Sequence, residues 1–412
     1  MKPTSYRPEQ AIRDVQHFGE EGGVVPVIDV AATSTFLDPA DMERTFQGEM
    51  PGCYLYSRHS NPTVNIFGKK IAAMEGSPAA LGVASGMAAI ACAIDQIFRN
   101  HAQATGKIGR GEAGGHIVSS NTVYGGTYAL FKNVLPSRGI DVTAVDVSDL
   151  GAVEKAFRPD TRILYVETLS NPLLNASDLR SLSAICKKKG AKLVVDNTFT
   201  PMIVRPLDLG ADVVIHSCTK YISGSSDLIA GAIAGDEPFI ASLIDVNHGA
   251  VMLGGAVMDP RIAHELYLRM DHLPVRMQAH AKMAEFLAIR MTEAKIPVIY
   301  PSLSSHPQHK LIREMASPDF GFGGILTVDC GTPERAQVLA TKLQDEKFGL
   351  YAVSLGFSRT LMSCSAKSTS SEIPEAEQKA IGLSPGLLRF SIGYIGDAET
   401  MWKRFEKCWK AL

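Results

Sequence analysis

The 412-residue sequence predicts an α/β protein built on a seven-stranded, mostly parallel sheet. Three observations carry this. Short apolar, β-branched runs recur between about residue 80 and residue 235, and helical stretches separate several of them. Two runs, Leu193 to Val195 and Val213 to Ile215, end in polar residues, as buried parallel strands do when a site lies at their carboxyl ends. Beyond about residue 270 the alternation gives way to a long helical region and then to further strands.

Residues 1–62 carry Gly and Pro with little periodicity and read as an extended arm over a larger body. The arm ends in YLYSRHSNPTV, where Tyr54, Tyr56 and Arg58 alternate and would share one face of an extended segment. A surface arm and a binding role are equally compatible with those residue types. From Ile66 the pattern turns helical, with Phe67, Ile71 and Met74 apolar, and stops at Gly76. ALGVAS then runs into a helix opening at Ser85, Gly86 and Met87, a turn whose free N–H groups suit an anion. The G-x-G-x-x-G match at Gly109, Gly111 and Gly114 follows a helix and precedes the strand HIVSS, so it is a loop and not a dinucleotide fingerprint. Tyr124-Gly125-Gly126 marks a turn into another helix. Strands are predicted at 141–147, 162–168, 192–198, 212–217 and 228–235, which with LGVAS and HIVSS makes seven, and helices near 149–157 and 178–189.

The long helix is expected from Val275 to Ala294. GILTVDC, LYAVSLG and GLLRFSIGY read as strands, and 333–345 and 397–411 as helices, of an α+β domain. The division expected is an arm over 1–62, an α/β domain over 63–270 and an α+β domain over 271–412. The serine-rich SCSAKSTSSE (363–372) is either a flexible surface loop or a mobile wall of a pocket.

Composition bounds the function. With 45% hydrophobic and 20% charged residues and a net charge of −2, the chain has no basic block, which argues against a nucleic-acid partner. The polar start and the absence of a long uncharged run argue against a membrane protein, and a cytoplasmic location is expected. The seven cysteines are scattered and never form C-x-x-C, so neither disulfides nor a zinc site is expected; Cys218 is expected to point into packing. His306 and His309 have no acidic or Cys partner beside them, and no metal is expected.

The chemistry concentrates at two strand ends. The first delivers Asp196, the second Ser217, Thr219 and Lys220. A carboxylate, two hydroxyls and an amine suit a cofactor with a basic ring nitrogen, a phosphate and an aldehyde, which describes pyridoxal phosphate held as a Schiff base on a lysine. Asp196 would keep the ring nitrogen protonated, Lys220 would carry the cofactor and then move protons, and Ser217 and Thr219 would meet the phosphate with the Ser85–Met87 helix start. Tyr124 would stack on the ring and assist a leaving group. Arg389 lies between Leu388 and Phe390 in an apolar strand, where an unpaired guanidinium is costly to bury. A substrate carboxylate resolves that cost; an outward-facing arginine on an edge strand is the alternative. A cofactor-binding protein without turnover, or a dinucleotide binder, is the reading from another class, and the misplaced glycine motif speaks against the latter.

VVDNTFTPMIVRPLDLGADVVIHSCTKYISGSSDLIAGAI, with YSRHSNPTV, ASGMAAI, ETLSNPLL, SLG and SPGLLRFSIGY, resembles the pyridoxal-phosphate-dependent enzymes of cysteine and methionine metabolism. That family holds cystathionine γ-synthase, cystathionine lyases, homocysteine-forming sulfhydrylases and methionine γ-lyase. Within it, HFGEEGGV, YPSLSSHPQHKL and SLGFSRTLMSCSAKSTSSE look most like the plant-type methionine γ-lyase branch. The resemblance implies the fold-type-I architecture of pyridoxal-phosphate-dependent transferases and a homotetramer, a dimer of tight dimers, with sites shared between subunits. It implies Lys220 as the cofactor lysine and Asp196 as the partner of the ring nitrogen. It places Ser85, Gly86, Met87, Ser217 and Thr219 around the phosphate, with Tyr56 and Arg58 reaching it from the adjacent protomer. Tyr124 stacks on the ring, Asn171 lies near its phenolic oxygen, and Ser354 with Arg389 takes the substrate carboxylate.

The implied reaction is α,γ-elimination of L-methionine to methanethiol, 2-oxobutanoate and ammonia. Cystathionine γ-lyase, or γ-replacement on an O-acylhomoserine, is the alternative. Cystathionine γ-lyases commonly carry a glutamate just before the serine of SLG; here that residue is Val353, an apolar wall suited to a thioether methyl. Many bacterial methionine γ-lyases carry a cysteine two residues after the stacking tyrosine, where this chain has Gly126.

Overall fold

The apolar runs form the expected sheet. In a computed structural model that describes residues 6–16, 23–106, 114–365, 368 and 372–412, β1 (Ala79–Val83), β2 (Gly115–Ser120), β3 (Ile140–Val145), β4 (Thr161–Glu167), β5 (Lys192–Asp196), β6 (Val213–Ser217) and β7 (Gly231–Gly235) make one seven-stranded sheet. Its order is β1-β7-β6-β5-β4-β2-β3. Adjacent strands from β6 to β3 are parallel, and only β7 runs antiparallel to its neighbours β1 and β6. Parallel pairing needs crossovers, and helices supply several of them, Leu150–Ala156 and Leu179–Lys189 among them.

Both faces of this sheet are buried, and strand alternation divides them. Val118, Leu164, Val166, Leu193, Val195 and Val214 pack with helix Pro62–Glu75 and the middle of the chain. Ile117, Ile163, Tyr165, Val194, Val213 and Ile215 pack instead under helix Gly86–Thr105. Burial on both sides explains why the strands read as continuous apolar runs. Cys218 is fully buried in the first of these cores, as expected.

A second sheet comprises β8 (Val298–Ile299), β9 (Ile325–Asp329), β10 (Leu350–Tyr351), β11 (Leu361–Cys364) and β12 (Leu387–Ser391), in the order β10-β11-β12-β9-β8. Leu326, Val328, Met362, Leu388 and Phe390 face a core shared with the helices Leu273–Glu293, Pro333–Asp345 and Ala398–Lys410. Arg389 pairs across this sheet with Ser363 on one side and Thr327 on the other, so the alternate face is polar.

Several local expectations are corrected. The arm contains two short helices, Pro8–Asp14 and Pro39–Phe46, each opened by a proline and too short to show a periodicity. Tyr56 forms a β-bridge to Thr33, but residues 57–59 turn, so Tyr54, Tyr56 and Arg58 do not share an extended face. LYAVSLG is a strand only over Leu350–Tyr351, because Ser354 and Gly356 take positive φ and break it. The serine-rich stretch begins inside β11, and its residues 366, 367 and 369–371 lie outside those described. His309 opens a helix, His309–Met315, and is not in a loop. Gly109 and Gly111, and most of HFGEEGGV, lie outside the described residues. Among the described residues no His, Cys, Asp and Glu cluster suits a metal, and no helix is long and apolar enough to cross a membrane.

Phe405 is fully buried and packs its ring on Phe348, Phe390 and Trp402. Phe405→Ala is expected to cost about 3–5 kcal/mol of stability, read as a lower urea midpoint by tryptophan fluorescence.

Candidate active site

Parallel register brings the polar strand ends to one edge. Glu167 at the end of β4 stands opposite Asp196 at the end of β5, and Asp196 opposite Ile215 of β6, two residues before Ser217. A cavity of about 410 Å³ opens there. Of the residues singled out from sequence, Ser85, Gly86, Met87, Tyr124, Asn171, Asp196, Ser217, Thr219, Lys220, Val353, Ser354 and Arg389 all line it. Tyr56 and Arg58 do not: both are exposed, with the Arg58 guanidinium 5.0 Å from the centre of the Tyr56 ring.

The anion-binding end is built by close approach. Ser85 caps helix Gly86–Thr105, its Oγ accepting the Ala88 N–H at 3.0 Å. The N–H groups of Gly86 and Met87 lie in the first turn, where an α-helix offers no internal partner. A Cβ on Gly86 would stand 2.7 Å from the Ser217 Cβ, so only glycine lets the helix start meet the end of β6. Strand β6 ends at Ser217, and residues 218–220 turn. It is therefore this turn, not continued strand alternation, that brings Thr219 and Lys220 into the cavity. The Thr219 hydroxyl accepts the Ala230 N–H at 3.0 Å, which ties the turn to the residue before β7.

Lys220 donates from Nζ to the Ser354 hydroxyl at 2.9 Å. Burial, reinforced by the nearby Arg389 guanidinium, lowers its amine to about 8. Arg389 is 2% exposed, which rules out the outward-facing alternative. Its Nη1 donates to Asn171 Oδ1 at 3.0 Å and its Nη2 to the Ser354 carbonyl at 2.8 Å, while Nε is buried with no partner. Burial lowers this guanidinium to about 10, so it stays charged at neutral pH. Ser354 is held at φ +122°, a strained conformation for a non-glycine residue that costs on the order of 1–3 kcal/mol. Gly356 follows at φ +77°, where a Cβ would stand 2.6 Å from the Tyr221 N; the 354–356 segment thus lies directly against the Lys220 turn.

At the end of β5, Asp196 Oδ1 accepts the Thr198 N–H at 3.0 Å, and its Oδ2 accepts from the Tyr165 hydroxyl at 3.4 Å. Burial holds the carboxyl above the usual carboxylate range. Tyr124 is 43% exposed at the mouth, and burial, then the Glu372 carboxylate, push its phenol up. A Cβ on Gly126 would stand 2.6 Å from Tyr124 Cε1, so the glycine makes room for the ring as placed. Sequence reasoning missed Glu167, Tyr165, Thr198 and Glu372. The one available signal was that RILYVET, like VVDNT, ends an apolar run on a carboxylate.

This donor set fits pyridoxal phosphate: a half-buried amine, a half-buried carboxylate, helix N–H groups with hydroxyls, and a buried arginine with an unused N–H, all on one cavity. The class defined is an α/β enzyme using that cofactor. The description "Cys/Met metabolism PLP-dependent enzyme" matches residues 10–408, and the chain belongs to that family. It is 44% identical to the methionine gamma-lyase of Arabidopsis thaliana, over 97% of this chain and 89% of the relative. It is 35% identical to the cystathionine gamma-lyase of Bacillus subtilis, over 93% of each. A crystal structure of a putative O-acetylhomoserine (thiol)-lyase from Campylobacter jejuni, which carries N'-pyridoxyl-lysine-5'-monophosphate, superimposes with a TM-score of 0.86 at 26% identity, covering 98% of this chain and 100% of that one.

The lowered amine gives a signed pH dependence. Below about 8 the neutral form of Lys220 grows about tenfold per pH unit, and above that it levels off. The rate at which the apoprotein takes up pyridoxal phosphate, followed by its visible band, is expected to rise toward pH 8 and then flatten. A rise that continued to pH 10 would mean an unperturbed amine.

Proposed function

We propose that the protein eliminates the γ-substituent of L-methionine, releasing methanethiol, 2-oxobutanoate and ammonia. The observation that carries this is the placement of Val353, an apolar residue without charge, on the wall of the cavity that holds Lys220 and Arg389. The identity to a methionine gamma-lyase supports the same choice.

The bound cofactor supplies an acceptor for the electrons released when the Cα–H bond breaks. Lys220 holds the cofactor, and its amine takes the proton from Cα and relays one at Cβ. The neutral amine that this requires is favoured by burial beside Arg389. Arg389 pairs with the substrate carboxylate, for which its unused Nε and the adjacent Ser354 hydroxyl are suited. Asp196 holds the proton on the ring nitrogen. Tyr124 would cover the bound cofactor's ring and donate to the departing thiolate. Asn171 would hold the cofactor's phenolic oxygen. Ser85, Gly86, Met87, Ser217 and Thr219 bind the phosphate, and Val353 with Ile229 lines the apolar side.

The site is completed by a second copy of the chain, in a homotetramer of two dimers. Tyr56 and Arg58 are exposed outside the cavity of their own chain, and Val24, Val27, Val30 and Leu37 of the arm expose apolar side chains in want of cover. A cytoplasmic location accords with this reading.

A second reading has its own observation. Glu372 puts a carboxylate on the cavity wall, which suits the distal ammonium of cystathionine. Steady-state assays decide between them. Methionine alone is expected to yield 2-oxobutanoate with a higher kcat/KM than cystathionine, and Val353→Glu to shift the ratio toward cystathionine by about tenfold. Rapid turnover of an O-acylhomoserine plus a thiol, with no oxoacid from methionine, would overturn the elimination reading. For the shared site, mixing inactive Lys220→Ala with inactive Arg58→Ala subunits under exchange conditions is expected to restore part of the activity; none is restored if each chain's site is self-contained.

A further inference from the structure

Of the two carboxylates that end β4 and β5 on the cavity wall, the chemistry above uses only Asp196, which is half-buried. The other, Glu167, is 6% exposed at the end of β4. Its two oxygens point to two different loops. Oε1 accepts the backbone N–H of Tyr124 at 2.6 Å, in the loop after β2, and Oε2 accepts the backbone N–H of Asn171 at 3.0 Å, in the loop after β4. Asn171 in turn accepts from Arg389 at 3.0 Å through its side chain. The backbone of Glu167 is itself tethered, its carbonyl accepting from the Ser177 hydroxyl at 2.7 Å.

An ionised carboxylate is acceptor-only at both oxygens; an amide of the same shape must turn an N–H toward one of the two N–H donors. Burial, and Asp196 facing it across the strand pair, push the Glu167 carboxyl up. A group so costly to bury is a poor choice for packing alone, where an apolar side chain would serve.

We propose that Glu167 is a positioning residue whose carboxylate bridges the Tyr124 loop and the Asn171–Arg389 arm, setting the group that covers the cofactor ring against the group that takes the substrate carboxylate. The inference rests on the roles proposed above for Tyr124, Asn171 and Arg389.

Holoenzymes of Glu167→Gln and Glu167→Asp test it. Both are expected to keep the visible cofactor band but to show weakened visible circular dichroism of that band. In both, kcat for methionine is expected to fall about tenfold or more, and KM to rise several-fold. Combining Glu167→Gln with Asn171→Ala is expected to lower kcat/KM by less than the product of the single effects. Unchanged circular dichroism with kcat within about twofold of the parent, or fully multiplicative effects, would sink the proposal. Should neither variant fold, hydrogen exchange on the unmodified holoenzyme decides: the Tyr124 and Asn171 amides are expected to be as protected as those of β4, and free exchange at either overturns the bridge. Failure of the underlying roles looks different, as a parent protein without a cofactor band or an Arg389→Leu variant with unaltered KM.

Discussion

Buried charge without a counter-ion is the constraint around which the cavity is arranged. Lys220 and Arg389 lie near one another, the guanidinium lowering the amine's affinity for its proton, and among the described residues neither is paired with a carboxylate. Their partners are a hydroxyl, an amide oxygen and a backbone carbonyl. Neutral acceptors lessen the desolvation cost of a cation but do not cancel it. Such a site favours an anionic ligand, and in the proposed function an amino-acid carboxylate would meet that preference at the unused Arg389 Nε. The negative charges are kept apart, on β4 and β5, where burial, then Asp196, raises the Glu167 carboxyl, and burial raises that of Asp196.

That separation is enforced by topology more than by local preference. The parallel strands must release their chains at one edge, so polar residues placed after apolar runs converge whatever their distance in sequence. The antiparallel β7 enters at the same edge, its Gly231 opposite both Ser217 and Val83. The second sheet closes the cavity by turning its polar face, with Ser363, Arg389 and Thr327 in one row, away from its own apolar core. The strained Ser354 and the close approach of Gly356 to Tyr221 are the local consequences of seating that sheet's loop against the Lys220 turn.

The residues proposed for chemistry and those proposed for selectivity therefore come from different parts of the molecule. Asp196 ends a strand of the first sheet, and Lys220 lies in the turn that follows another. Val353, Ser354 and Arg389 come from the second half of the chain, and Glu372 from the stretch before helix Glu375–Ala380.

By itself the sequence determined the seven strands and the long helices, and it singled out Asp196, Lys220 and Arg389, because apolar periodicity, polar strand ends and a charge set in an apolar run are local patterns. Its likeness to a family added Asn171 and Ser354, which no local pattern singled out for those roles. Only the tertiary structure decided the rest. That Glu167 touches both Tyr124 and Asn171 depends on β4 lying beside both β2 and β5, pairings invisible in any window of sequence. The two arm helices are too short to be periodic, and β11 runs into a serine-rich stretch, its Ser363 buried and paired with Arg389. Strand pairing is non-local, and what it brings together is legible only once the sheet has formed.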